Sequence, residues 1–192
     1  MSDTQFGMVI DLRGCMGCQT CVVGCKTSNE FTGEGFWSHV LDYSDGEVYM
    51  ATSGEAPAMK FRPTLCNHCE SPVCVTNCPT GAMHKSEETG IVSVDQDICI
   101  GCGTCEKSCP YGAPVIDSEN MVSTKCNLCA GRTVEGGKDP YCVAACPARV
   151  RTFGDLSDPN SEVSKLISEN DAQQYLPENG TNPSVYYILP TA

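Results

Sequence analysis

The chain has 192 residues, 16 of them cysteine, with 24 acidic against 12 basic side chains and a formal charge of −12. That balance excludes a basic face for nucleic acid and electrostatic adhesion to an anionic membrane surface. No apolar run approaches the ~20 residues needed to span a bilayer, and the cysteine load points to a disulfide scaffold or a metal protein.

In chain order, "MSDTQFGMVIDLRGC" carries no basic, apolar and small-residue succession of a secretory signal. The expectation is that any location outside the cytoplasm is reached with another protein's help. "FGMVID" predicts a strand running into a first cysteine group, "CMGCQTCVVGC". Next, "HVLDYSDGEVYMAT" alternates apolar and polar residues around Asp45-Gly46, a hairpin signal. "KFRPTL" and "GIVSVD" predict strands leading into the second and third groups, and "PVIDSENMVSTKC" predicts a hairpin leading into the fourth. "SDPNSEVSKLISEN" predicts a helix with Asp158 as N-cap and Pro159 at its first position. The last stretch, "YLPENGTNPSVYYILP", predicts a surface-wrapping tail that ends in a short strand.

The cysteines fall into four groups of four: Cys15, Cys18, Cys21, Cys25; Cys66, Cys69, Cys74, Cys78; Cys99, Cys102, Cys105, Cys109; and Cys126, Cys129, Cys142, Cys146. Every group opens with C-x2-C and closes with C-x3-C, and the last three place proline directly after the final cysteine. Such repetition means one structural unit used several times. Closely spaced thiols can wrap one face of a cubane, and Gly17, Gly101 and Gly103 permit the tight turns this needs. In runs of the form C-x2-C-x2-C-x3-C-P the fourth cysteine ligates the other cluster of a pair. Cys25 is therefore expected to serve a different cluster from Cys15, Cys18 and Cys21. Two alternatives stand beside this reading. Eight disulfides would have to form among crowded thiols, and structural zinc would use the C-x2-C pairs without needing the third cysteine.

Several other residues invite a role. Trp37 and His39 are expected to pack or lie at the surface rather than ligate, and His68 in "CNHC" is expected to support ligands or meet solvent. Lys26, Lys125, Arg132 and Arg149 adjoin cysteines and could donate hydrogen bonds or offset cluster charge. The apolar content is thin for four independent cores, so cluster binding is expected to supply much of the folding free energy.

With the four motifs in view, the chain resembles the four-cluster iron–sulfur subunit of molybdopterin oxidoreductases of the dimethyl sulfoxide reductase family. The resemblance rests on "VIDLRGCMGCQTCVVGCK", "PTLCNHCESPVCVTNCPTGAMHK", "CIGCGTCEKSCPYGAP" and "KCNLC…CVAACP", and more weakly on "FGDLSDPNSEVSKLI…VYYI". Subunits of this kind partner dimethyl sulfoxide, polysulfide, thiosulfate, tetrathionate, arsenate and nitrate reductases. Nitrate reductase relatives have tryptophan where this chain has Cys102, so the resemblance implies four 4Fe–4S cubanes here.

The resemblance implies an α+β fold of two nested ferredoxin-like modules. The outer module takes residues 1–30 and 119–155, the inner one 60–118, with a hairpin insert at 31–59 and a C-terminal helix and tail at 156–192. It also implies four ligand sets. The first is Cys15, Cys18, Cys21 and Cys146, and the second is Cys126, Cys129, Cys142 and Cys25. The third is Cys66, Cys69, Cys74 and Cys109, and the fourth is Cys99, Cys102, Cys105 and Cys78. By the same likeness, the Cys15 end faces a catalytic subunit carrying bis-molybdopterin guanine dinucleotide. The Cys99 end faces a membrane quinol-oxidising subunit or a cytochrome, and the second and third sites lie between.

The sequence shows no nucleophile–base pair or cofactor loop beyond these motifs, so the expected role is electron transfer without catalysis. A free polyferredoxin serving soluble enzymes is the rival, and the insert and tail favour a docked subunit. The resemblance implies the outer face of the cytoplasmic membrane, reached by co-export with a partner bearing a twin-arginine signal. Residence in the cytoplasm is the alternative.

Overall fold

The run Met8-Val9-Ile10 is almost wholly buried, and its alternating side chains serve two different cores. Met8 and Ile10 face a cluster that includes Cys21, Cys66, Cys126 and Cys142, while Val9 packs with Val163 and Ile188 on the other face. Burying each of these aliphatic side chains stabilises the fold by about 1.5–3 kcal/mol. The sheet around this strand is the platform on which the cysteine loops stand.

The computed structural model of the chain describes residues 4–29, 35–42 and 61–190. In order, the elements are β1 (Phe6–Asp11), α1 (Thr20–Ser28), β2 (Ser38–Asp42), β3 (Phe61–Leu65), α2 (Val73–Thr76), β4 (Met83–Lys85), β5 (Val92–Val94) and α3 (Thr104–Ser108). They continue with β6 (Val115–Asp117), β7 (Val122–Thr124), α4 (Ala130–Thr133), α5 (Tyr141–Ala144), β8 (Arg151–Asp155), α6 (Glu162–Asn170), β9 (Gln173–Gln174) and β10 (Val185–Ile188). Among the described residues, no helix is long and apolar enough to cross a membrane.

One sheet has four strands in the order β8-β1-β10-β9, with β1 antiparallel to β8 and parallel to β10. Three two-stranded ribbons, β2–β3, β4–β5 and β6–β7, complete the strand pairing among the described residues. The predicted strands at "FGMVID", "KFRPTL" and "GIVSVD" and the hairpin before the fourth motif are all present. The hairpin expected around Asp45-Gly46 falls outside the described residues. Its leading arm, β2, pairs with β3, Ser38 opposite Leu65 and Asp42 opposite Phe61.

Two expectations change. The helix after the fourth motif starts later than Asp158: Ser161 is the N-cap, its hydroxyl accepting from the backbone N–H of Ser164 at 3.2 Å. Asp158 instead closes the preceding turn, accepting from the N–H of Asn160 at 2.8 Å. Ser161 offers the same capping chemistry, one turn closer to the buried Val163. The tail is also not simply a surface wrap. Thr181, Ser184 and Tyr187 are buried, and Ser184 binds the backbone of Asn67 and His68 inside the second motif. Tyr187 donates to the carbonyl of Pro63 at 3.0 Å.

The short helices pack in pairs. Helix α1 lies against α5, where Gly24 leaves room for Ala145 at 3.0 Å from an added Cβ, and α2 lies against α3. Thus the first motif meets the fourth, and the second meets the third.

Candidate functional site

In each motif the residue before the second cysteine has a left-handed backbone: Gly17 (φ 70°), His68 (φ 42°), Gly101 (φ 62°) and Leu128 (φ 53°). That turn folds the loop back so that successive thiols face one side. Gly17 is further required because a Cβ there would stand 2.7 Å from the Phe61 ring. Left-handed residues at Gln19, Gly103 and Cys129 then launch α1, α3 and α4.

These loops gather thiols from distant motifs. Cys15, Cys18 and Cys21 share a cavity with Cys146, walled by Val40, Pro63 and Arg151. Cys66, Cys69 and Cys74 share one with Cys109, walled by Val92 and Pro114. Cys99, Cys102 and Cys105 share one with Cys78, walled by Met83 and Ile116. Cys25 does not line the cavity of its own motif. The Asn29 amide reaches both Cys25 and Cys129, at 3.7 and 3.9 Å from their sulfurs. Cys25 lies within electrostatic reach of Cys142, Cys129 and Cys126.

All sixteen thiols are free of disulfides. Tetrahedral zinc would draw its sulfurs to within about 4 Å of one another. Among the described residues no three or more His, Cys, Asp or Glu side chains are gathered to hold one ion. Thiols spread around a cavity wall fit a cofactor with several iron atoms, each taking one sulfur.

The thiols differ by depth. Burial pushes Cys25 and Cys74 up to about 12 and Cys69 up to about 11, and it holds Cys126 well above the usual thiol range. Burial also raises Cys15, Cys109 and Cys142. Cys18 and Cys102 are exposed and lowered by hydrogen bonds with the Thr20 and Thr104 hydroxyls. At Cys78 burial raises the pKa, but the N–H of Met83 and the Thr80 hydroxyl outweigh it. Loading metal onto the deep thiols must therefore expel their protons. Several sulfurs already accept N–H groups: Cys78 from Met83 at 3.4 Å, Cys99 from Ser123 at 3.3 Å and Cys126 from Leu128 at 3.4 Å.

Cysteines of different groups adjoin one another: Cys142 lies within electrostatic reach of Cys21 and Cys126 of Cys66, and Cys74 and Cys105 share one apolar cluster. Exposed apolar side chains line two of the cavities: Met16 (62 % exposed) that of Cys15, and Ile100 (65 %) that of Cys99.

Of the cations singled out from sequence, Lys125 is buried and donates to the carbonyls of Val92 and Cys126. Lys26 stands over the Phe36 ring and Arg132 over the Tyr141 ring, while Arg149 is exposed. Sequence reasoning missed Arg151, two residues on, whose guanidinium donates to the Cys21 sulfur at 3.4 Å. His39 is exposed beside Phe36, and Trp37 donates to the Thr124 hydroxyl at 3.1 Å. His68 meets no solvent. Its Nδ1 accepts from Val92 at 3.1 Å, so Nε2 carries the proton, and that buried N–H has no partner among the described residues.

A 4Fe–4S dicluster domain family model matches residues 57–156. The chain is 40 % identical to a subunit of the sulfite dehydrogenase of Allochromatium vinosum, over 96 % of this chain and 83 % of that one. It is 40 % identical to a subunit of the tetrathionate reductase of Salmonella typhimurium, over 96 % and 72 %. With the arsenate respiratory reductase iron–sulfur subunit ArrB of Shewanella sp. strain ANA-3 it shares 36 % identity over 96 % of each chain.

Proposed function

Because the chain belongs to the family of iron–sulfur electron-transfer subunits that carry the 4Fe–4S dicluster domain, we propose that it conducts electrons through four cubanes to or from a molybdopterin catalytic subunit. The observation that carries this reading is that three cavities each gather three thiols of one motif with the last cysteine of another, while Cys25 lies beside Cys129 rather than in the cavity of its own motif. The proposed ligands are Cys15, Cys18, Cys21 and Cys146; Cys126, Cys129, Cys142 and Cys25; Cys66, Cys69, Cys74 and Cys109; and Cys99, Cys102, Cys105 and Cys78. A cubane held by four thiolates takes up and releases one electron.

The chain's own residues supply the rest. The second and third sets are mostly buried, with no fully exposed thiol, whereas Cys18 and Cys102 bring the first and fourth to the surface. The two nested ferredoxin-like modules implied by the family resemblance accord with the helix pairs α1–α5 and α2–α3. The apolar side chains at the first and fourth cavities suit docked partners: the catalytic subunit beside Met16, and a membrane quinol subunit or cytochrome beside Ile100. A free polyferredoxin would leave both rims in water, which favours the docked reading.

Anaerobically purified protein should be brown and hold about sixteen irons, four per cubane. It should copurify with a large molybdenum protein. Stoichiometric zinc without broad visible absorbance would sink the cluster reading, and a monodisperse iron-loaded chain without partner would favour the free carrier.

We place the complex at the outer face of the cytoplasmic membrane. Cysteines that hold clusters are loaded in a reducing compartment, so this placement has the chain exported already folded, in company with a partner that bears a twin-arginine signal. Expressed alone, the chain should stay in the cytoplasm; fractionation showing it outside without a partner would overturn this placement.

A further inference from the structure

Arg151 opens β8 opposite Ile10 of the central strand, and its side chain turns inward from the sheet. It is 3 % exposed. One terminal nitrogen donates to the Cys21 sulfur and to the Ser38 hydroxyl, each at 3.4 Å, and the other reaches the Met8 sulfur at 3.9 Å. Its Nε–H has no partner, and no carboxylate pairs with it among the described residues. A guanidinium stays protonated in proteins, so the charge is fixed.

A buried guanidinium without a carboxylate is expensive and persists where other anions compensate it. The sulfurs around it belong to two different sets: Cys21 of the first accepts from it, and Cys142 of the second lies in the same buried cluster as Cys21 and Met8, on the helix packed against β8. Each set, once loaded, is a dianion that gains a further negative charge on reduction. A fixed cation between them favours that added charge on both sides, because a cluster's potential follows local charge and hydrogen bonds to its sulfurs.

We propose that Arg151 is the shared counterion of the first and second cluster sites, raising both reduction potentials together. The proposal rests on the ligand sets given above. Arg151 is a positioning and tuning residue, since no bond to it forms or breaks.

The test is a redox titration followed by electron paramagnetic resonance on the intact complex, comparing wild type, Arg151→Met, Arg151→Lys and the exposed neighbour Arg149→Met. Iron content of the wild type comes first; fewer than four cubanes there would defeat the ligand reading rather than this one. With four present, Arg151→Met should lower the reduction equilibrium constants of the first and second clusters at least tenfold, about 59 mV for a one-electron couple. The third and fourth should stay within about twofold. Arg151→Lys should recover most of the shift, and Arg149→Met should change none of the four. If Arg151→Met cannot hold the first two clusters while Arg151→Lys can, charge is again the requirement. Unmoved potentials in a fully loaded Arg151→Met, equal shifts in both Arg151 variants, or cluster loss in both would overturn the proposal.

Discussion

Cys25→Ser is expected to destroy the second cluster and leave the first intact, although Cys25 belongs to the first motif. Cys21 and Cys25 are one turn apart on α1, about 6 Å along its axis, so the helix spans two sites rather than serving one. Cys21 lines the cavity of Cys15 and Cys18, whereas Cys25 meets Cys129 through Asn29 and lies near Cys142. Helix α5 mirrors this arrangement: Cys142 joins the second set, and Cys146, just beyond the helix, lines the first. The inner pair repeats the exchange, with Cys78 after α2 lining the fourth cavity and Cys109 after α3 the third. Cys146→Ser should therefore damage the first cluster while the second persists. Each variant should lose up to four irons, or keep a three-iron species at one site, and the lost paramagnetic signal should differ between them. If Cys25→Ser and Cys15→Ser abolished the same signal, the exchange of fourth ligands would be wrong.

The grouping of the thiols was legible because spacing constrains them locally: a C-x2-C pair must share a site, and a cysteine after an x3 spacer is carried away by the helix. Strands flanking the motifs were legible from short apolar runs. What escaped depends on contacts remote in sequence. Placing β10 beside β1 requires the two ends of the chain to pair, Met8 opposite Val185, and neither segment encodes the other. Arg151 was overlooked in favour of Arg149. The two have the same side chain and nearly the same place, but Arg149 has a left-handed backbone (φ 51°) and is exposed. Arg151 starts a strand whose register with Ile10 fixes its inward face. Register, not residue type, separates them. His68 escaped similarly: its left-handed turn buries the imidazole against Val92, a partner 24 residues away.

Gly101→Ala is expected to remove the fourth cluster, whereas Gly103→Ala, two residues on, should leave it loaded. Both glycines have left-handed backbones, with φ 62° and 72°, so either alanine carries the conformational cost of about 1–2 kcal/mol. Their surroundings decide the rest. A Cβ at Gly103 meets nothing within 4 Å, while one at Gly101 would run into the backbone carbonyl of Met121, in the turn between β6 and β7. Backbone at a tight turn yields poorly, so the ribbon has to shift. That ribbon holds the fourth site through Ser123, whose N–H donates to Cys99 at 3.3 Å and whose hydroxyl bonds Cys105 at 3.2 Å. Displacing it breaks both contacts and opens the rim where Met121 and Ile100 lie. We expect Gly101→Ala to lose more than about 3 kcal/mol of stability, combining backbone strain with a broken buried network. Gly103→Ala should stay near the conformational cost alone. Denaturant unfolding of the loaded protein and the fourth cluster's paramagnetic signal read both effects. A fully loaded Gly101→Ala within about 1 kcal/mol of Gly103→Ala would mean that the β6–β7 ribbon does not support the site.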